Sequence, residues 1–302
     1  MRRMRGRRTR LPCFARRTAF KALLFLVLLL VGACAAAPPA DVRLSFALMG
    51  DVPYSYAQAN LLDSLIDRVN AEPLAFAVHV GDITSGQGPC DDDWLHERKR
   101  QFERFRLPFV LLPGDNEWTD CHRGGFDPLE RLAKWRQLFC IPVAVPGFAR
   151  QRGEYCENVR WKIDELIFAG LNVPGSNNNL GRTRSMDAEH EQRMRAVFAW
   201  LDQTEQRMRA GTTLVILMQA NPFLKPLGGA ADGFAPLRAR LARLVQAHPG
   251  RIVLVHGDTH HYRDDEPMPG LRRVEVPGSP FVGWLRASAT AQGLRVEPVN
   301  LP

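Results

Sequence analysis

The sequence predicts an α/β domain with helices packed on the faces of a β-sheet. Two observations carry that expectation. Six short apolar runs recur, each closing on Gly or polar residues: RLSFALMG (43–50), LAFAVHVG (74–81), LPFVLLPG (107–114), ELIFAGLN (165–172), TTLVILMQ (212–219) and RIVLVHG (251–257). Runs this apolar fit strands buried on both faces. Between several of them lie stretches with helical spacing of apolar residues, the alternation of a helix-covered sheet.

Each element follows in order. The first run leads into 57–70, where Leu61, Leu62, Leu65, Ile66 and Val69 share one helical stripe. The second leads to a helix over 92–105. The third leads to one over 128–139, where Asp127 is an N-cap and Pro128 takes the first helical position. The fourth and fifth lead to helices over 187–209 and 234–247. After the sixth, 273–276, 281–287 and 293–299 read as shorter strands and turns. No internal repeat or linker interrupts 41–302, which is expected to be one domain.

Composition bounds the function. The chain is 302 residues long, 45% hydrophobic and 24% charged, which excludes a disordered tail or a small disulfide-held scaffold. Its 40 Lys and Arg against 32 Asp and Glu give +8, but nine of the basic residues lie in 1–34, which has no acidic residue. Taking those nine away leaves 31 against 32 for residues 35–302. The domain is near neutral, so composition gives no support to nucleic-acid binding.

Residues 1–34 read as a signal peptide: a basic segment, an apolar run at 22–33 too short to span a bilayer comfortably, and small residues. Val31-Gly32-Ala33-Cys34 resembles a bacterial lipobox, implying that lipidated Cys34 is the mature N-terminus and 35–40 an Ala/Pro tether; the alternative is ordinary cleavage after Ala37. Arg16–Lys21 loosely resembles a twin-arginine export signal, or is only a basic segment. The expectation is export to the periplasm or outer membrane, with a lipid anchor at Cys34. Beyond the leader remain Cys90, Cys121, Cys140 and Cys156. An even number in an exported chain suggests two disulfides, with three possible pairings. No C-x-x-C spacing speaks for a metal.

In α/β sheets ligands bind beyond the carboxyl ends of strands. Those ends carry Gly50-Asp51, Gly81-Asp82, Gly114-Asp115-Asn116-Glu117, Gln219-Ala220-Asn221 and Gly257-Asp258-Thr259-His260-His261. One Asp after Gly is ordinary turn chemistry; five successive strand ends of this kind point to a site. Oxygen and imidazole ligands together suit Mn, Fe, Zn or a related divalent ion. Two such ions sharing a carboxylate clamp a phosphate and activate water.

These motifs resemble those of the calcineurin-like metallophosphoesterases, D-x-H, GD, GNH plus an acid, a lone His and GHxH, in order and spacing over most of 44–261. The resemblance implies a β-sheet sandwich flanked by helices, four layers α/β/β/α, and a metal-dependent hydrolase of phosphomonoesters or phosphodiesters. It implies one or two divalent ions, with Asp51 on the first metal, Asp82 bridging, Asp115 in place of the metal-binding Asn, Asp258 in place of the first His of the last motif, and His260 as its last His. The chain departs from the family where Pro53 replaces the His of D-x-H and Asn116 the His after the metal-binding Asn. An amide hydrogen-bonds a phosphate but donates no proton near neutral pH. The lone His is missing, and Gln219 or Asn221 stands nearby. The second site is thereby oxygen-rich and suits Mn, Mg or Ca over Zn.

Further residues fall near this rim. His122 is a candidate proton donor and Arg123 a candidate phosphate ligand; the alternative for both is a surface loop. In the implied fold the second and third strands are neighbours, which favours Cys90–Cys121, and Cys140–Cys156 follows by sequence proximity. Gly175–Asn179 can line a polar pocket or simply turn. Tyr54 and Tyr56 can reach the metals or pack over them. His261, His79 and His256 can support the ligands, or lie in solvent or core. A second function class remains: a non-catalytic cell-envelope binding lipoprotein on a degenerate scaffold.

Overall fold

The computed structural model describes residues 41–300 except 227 and 229. The signal peptide, the lipobox with Cys34 and the tether lie outside the described residues. The described strands and helices belong to the compact unit from Val42 onward. Among the described residues no helix is long and apolar enough to cross a membrane.

The apolar runs divide between two sheets packed face to face. The first holds β1 (Leu44–Met49), β2 (Ala77–His79), β3 (Phe109–Leu111), β11 (Gly283–Thr290) and β12 (Gly293–Asn300), ordered β12-β11-β1-β2-β3. The second holds β4 (Ala149–Arg150), β5 (Val159–Ile163), β6 (Leu166–Gly170), β7 (Thr213–Leu217), β8 (Ile252–His256), β9 (Arg263–Met268) and β10 (Leu271–Glu275), ordered β4-β5-β6-β7-β8-β10-β9. Strands β1, β2 and β3 run parallel, as do β6, β7 and β8, so both sets point their carboxyl ends the same way along their sheets.

Three apolar layers explain why these runs are apolar on both faces. Between the sheets, Phe46 stacks on Phe76 and Trp161 on Phe168, with Phe46 and Phe168 edge to face. Outside the first sheet lie α1 (Tyr56–Ala71), α2 (Asp92–Phe102) and α3 (Pro128–Phe139); outside the second lie α4 (Arg184–Glu205) and α5 (Ala235–Ala247). The result is the expected α/β/β/α sandwich. Side chains of Ser55, Asp91, Asp127 and Thr183 cap α1 to α4. The buried stripe of α1 carries Ala59 rather than Leu61, which is 49% exposed, because Leu61 sits on the border of the apolar arc. Helix α2 stops at Phe102, short of 105.

Strands β4, β5 and β9 had no counterpart in the apolar runs. Strand β9 reads RDDEPM and lies at a sheet edge, paired with β10 through Arg272–Asp264 and Arg273–Asp265. Charges of this kind suit an edge strand and hide it from a search for apolar runs.

Both favoured disulfides are present, Cys90–Cys121 and Cys140–Cys156. The first ties the loop after β2 to the 3-10 turn Thr119–Gly124 after β3. It closes a separation of 31 residues, so replacing both cysteines by Ser costs about 3–4 kcal/mol by the loop-entropy relation. Chemical denaturation under oxidising conditions measures this loss.

Candidate metal centre

Sharp turns at the carboxyl ends of β1, β2, β6 and β8 build the site. Asp51, Asp82, Asp258 and His260 have positive φ (54°, 62°, 78° and 62°), as do Ser176, Asn177, Asn178 and Asn179 after β6 (46°, 55°, 56° and 64°). Among the described residues only Asp164 shares this conformation elsewhere without being glycine. Left-handed backbone costs about 1–2 kcal/mol per residue and is best tolerated by Asn and Asp. Such strain concentrated on one rim is a mark of a functional site. Close approach does the rest: a Cβ on Gly114 would fall 1.9 Å from Asp82 Oδ1, and one on Gly257 would fall 2.1 Å from Asp51 Oδ2.

The turns converge on a cluster of carboxylates. Asp51, Asp82 and Asp115 are buried, and Asp258 is half-buried. Asp82 Oδ1 accepts from the backbone N–H groups of Asp115 (3.0 Å) and Asn116 (3.1 Å). Its Oδ2 accepts from Asn116 Nδ2 (3.0 Å) and Gln219 Nε2 (3.1 Å), and lies 3.0 Å from the Tyr54 hydroxyl. Asp51 Oδ1 accepts from Asp258 N (3.0 Å) and lies 3.8 Å from His260 Nε2. Asp258 Oδ2 accepts from Asn221 N (2.8 Å). A Cβ on Gly175 would sit 2.8 Å from Asp115 Oδ2 and 3.0 Å from Asp258 Oδ1, which places both carboxylates against that glycine.

Of the two amides after β7, Gln219 faces the cluster: its Nε2 meets Asp82 and its Oε1 accepts from Gly175 N (2.5 Å). The Asn221 side-chain oxygen instead accepts from Phe223 N (3.1 Å). Asn116 Nδ2 also contacts the Tyr54 hydroxyl and the Thr84 carbonyl. His122 is exposed, with Nδ1 donating to the Thr119 carbonyl (2.9 Å). Arg123 is bound to Asp120. Tyr54 reaches the centre, whereas Tyr56 is 67% exposed and packs on Trp94. His261 is exposed.

His79 donates from Nε2 to the Val52 carbonyl and accepts from Gly81 N, tying the loops of Asp51 and Asp82 together. Burial pushes it down to about 4, so it is neutral. His256 donates to the Gly257 carbonyl and is pushed down to about 3 by burial.

Sequence reasoning passed over two fully buried glutamates. Glu117 accepts from Gly114 N (2.7 Å) and holds the turn after β3. Glu275 bonds Thr259 and Arg263 beneath the His260 loop. Glu117 was visible only as the acid after the third motif, and nothing local marked Glu275.

Burial, reinforced by neighbouring carboxylates, holds Asp51 and Asp82 well above the ordinary carboxylate range. Burial likewise raises Asp115 to about 6, and Asp258 and Glu117 to about 7. Folded values above unfolded ones stabilise at low pH, and that stabilisation is lost as pH rises through the folded values. The metal-free protein is therefore expected to lose melting temperature as pH rises from about 4 to about 7. A divalent ion offsets the loss and Asp258→Asn reduces it; thermal melts in chelator across pH check both.

Does this donor set suit a metal? Asp51 Oδ2 is buried without a hydrogen-bond partner. His260 donates from Nδ1 to the Ser279 carbonyl (2.8 Å), leaving Nε2 as an acceptor toward the cluster. Clustered like charges with an unpaired buried oxygen fit a divalent cation. The ligands are loosely gathered: the one trio of His, Cys, Asp or Glu ligand atoms within 4.8 Å of one another, among the described residues, is Cys140, Cys156 and Glu157, and its sulfurs form the disulfide. The Tyr54 hydroxyl stands between Asp82 Oδ2 and His260 Nε2, 3.0 Å from each.

No protein-family model matches the chain, and no curated protein matches its sequence. Solved structures match its fold. A dimetal phosphatase from Danio rerio aligns with TM-score 0.57 and 13% identity over 86% of this chain and 97% of that one. A purple acid phosphatase from yellow lupin seeds aligns with TM-score 0.50 and 12% identity over 85% of this chain and 51% of that one. The likeness to these two phosphatase structures is one of fold.

Proposed function

We propose that the protein is an exported, metal-dependent phosphoesterase acting on a phosphomonoester or phosphodiester. The observation that carries this reading is the convergence of Asp51, Asp82, Asp115, Asp258 and His260 from both sheets onto one rim, with a buried carboxylate oxygen of Asp51 left unpaired. One or two divalent ions (Mn, Fe, Zn, Mg or Ca), held by Asp51, Asp82 and His260 on one side and by Asp82, Asp115, Gln219 and Asp258 on the other, would supply Lewis acidity and a water of lowered pKa.

The chain's own groups do the orienting. Backbone N–H groups of Asp115 and Asn116 fix Asp82, and Ser279 fixes the His260 ring. Asn116, with no proton to give near neutral pH, binds and orients. The test is a phosphoester screen with each ion and with chelator: turnover lost in chelator and restored by one ion is the expected result.

One observation favours the second reading, a binding lipoprotein. Tyr54, Asn116 and Gln219 already close around Asp82 Oδ2. Turnover of neither ester class with any of the ions sides with that reading. The proposed anchor has its own test: Cys34→Ser is expected to move the protein from the membrane fraction to the soluble periplasm, and unchanged fractionation removes the lipid from the account.

A further inference from the structure

Beside the acidic centre lies a cationic one. Asp120 is 4% exposed and receives two guanidinium groups: Arg123 Nη1 at 2.9 Å from Oδ2 and Arg182 Nη2 at 3.3 Å from Oδ1. Arg182 also donates to the Thr119 carbonyl, and Arg123 to that of Gly86 (2.9 Å). The pair adjoins the carboxylate cluster. Ser176 Oγ lies 2.8 Å from Asp120 Oδ1 and 2.7 Å from Asp115 Oδ2. A Cβ on Gly86 would meet Arg123 Nη1 at 2.7 Å and Asn116 Oδ1 at 3.0 Å, so the guanidinium and the amide on Asp82 flank the same glycine.

Arg182 also feels Asp115; with Asp115 engaged by a metal, Asp120 is the one carboxylate left facing two guanidinium groups, and one positive charge is over. A single arginine would neutralise Asp120, and like charges held side by side are costly without a counter-ion. Both side chains stay open to solvent, 44% and 24% exposed. The scaffold behind them is firm, because the Cys90–Cys121 disulfide ties the Gly86 loop to the turn bearing Asp120 and Arg123. Guanidinium forks match the oxygens of a phosphoryl group in pairs.

We propose that Arg123 and Arg182, gathered on Asp120, form an anion subsite for the peripheral oxygens of the substrate's phosphoryl group, and that the substrate is a dianionic phosphomonoester rather than a diester. A monoester is close to doubly charged above its second pKa of about 6. A diester carries a single charge and presents an ester arm where the subsite offers donors. The substrate class rests on the phosphoesterase reading; the subsite itself does not.

Arg123→Gln and Arg182→Gln, made singly so that Asp120 keeps one partner, provide the test. Metal-loaded wild type and variants are compared with 4-nitrophenyl phosphate, with bis(4-nitrophenyl) phosphate, and by calorimetric titration with inorganic phosphate. Each variant is expected to raise KM for the monoester and weaken phosphate binding by about tenfold, the effect of about 1.4 kcal/mol. Diester kcat/KM is expected to fall by a smaller factor, because a diester offers the subsite one negative charge instead of two. Equal losses on both esters, unchanged phosphate affinity, or no phosphate binding by wild type overturns the proposal. If wild type hydrolyses neither ester, the phosphoesterase reading and the substrate class fail together, and the phosphate titration alone decides the subsite. Where a Gln variant does not fold, the Lys variant at the same position is read instead; it keeps the charge but loses the fork, and is expected to weaken phosphate binding in the same direction.

Discussion

Asp82→Asn is expected to lower metal-dependent phosphoester turnover by on the order of 10³-fold or more, beyond the 10–100-fold typical of losing a ligand's outer partner. Asp82 is shared by the two proposed ligand sets, and five groups lie within hydrogen-bond distance of its carboxylate. An Asn keeps the shape and still accepts from the backbone N–H groups of Asp115 and Asn116. It removes a charge that burial and the neighbouring Asp115 and Glu117 already disfavour. Its amide nitrogen loses the bonds that Oδ2 accepts from Asn116 Nδ2 and Gln219 Nε2, which opposes the relief of charge, so the fold should survive with little net change in metal-free melting temperature at neutral pH. Steady-state kinetics and thermal melts on the same preparation separate the two effects. Full activity in a folded variant removes Asp82 from the mechanism.

The second large effect is structural and reaches the site indirectly. Arg193 is fully buried beneath the left-handed turn Ser176–Asn179. Its guanidinium donates to Asn178 Oδ1 (2.6 Å), to the carbonyls of Asn178 and Asn172, and to Glu189 (2.6 Å). Arg193→Met takes the guanidinium from Asn178 Oδ1 and the Asn172 carbonyl, and leaves Glu189 with Asn179 Nδ2 and the Asn178 carbonyl with His190 Nδ1. Breaking a buried pair from one side costs about 3–5 kcal/mol. The turn presents Gly175 to Gln219 and Ser176 to Asp115. Activity and metal affinity are therefore expected to fall with stability. Urea denaturation gives the first quantity and metal titration the second; a loss below 1 kcal/mol would mean that the turn holds its shape unaided.

The sequence revealed the parts of this site that local backbone chemistry dictates. A left-handed residue at a strand end calls for Gly, Asp or Asn, so Asp51, Asp82 and Asp258 stood out. The β1, β2 and β3 runs were legible because both faces of each strand are covered. Contributions made across the fold were not legible. Arg182 is one arginine among 40 Lys and Arg, and only the folded chain sets it on Asp120, 62 positions away. Arg193 lies on a helix, and its spacing from Asn178 carries no local signature. Gln219 and Asn221 were indistinguishable by spacing, because two residues apart on a strand end both can face a ligand. Their different partners, Asp82 and Phe223, are a matter of tertiary contact.

Metal content tests the central claim most directly. Elemental analysis of the protein purified without added metal is expected to find one or two equivalents of a divalent ion. Asp82→Asn prepared in parallel should hold less. No bound ion in the wild type, and none taken up on titration with Mn, Fe, Zn, Mg or Ca, would contradict the account and leave a metal-free binding scaffold.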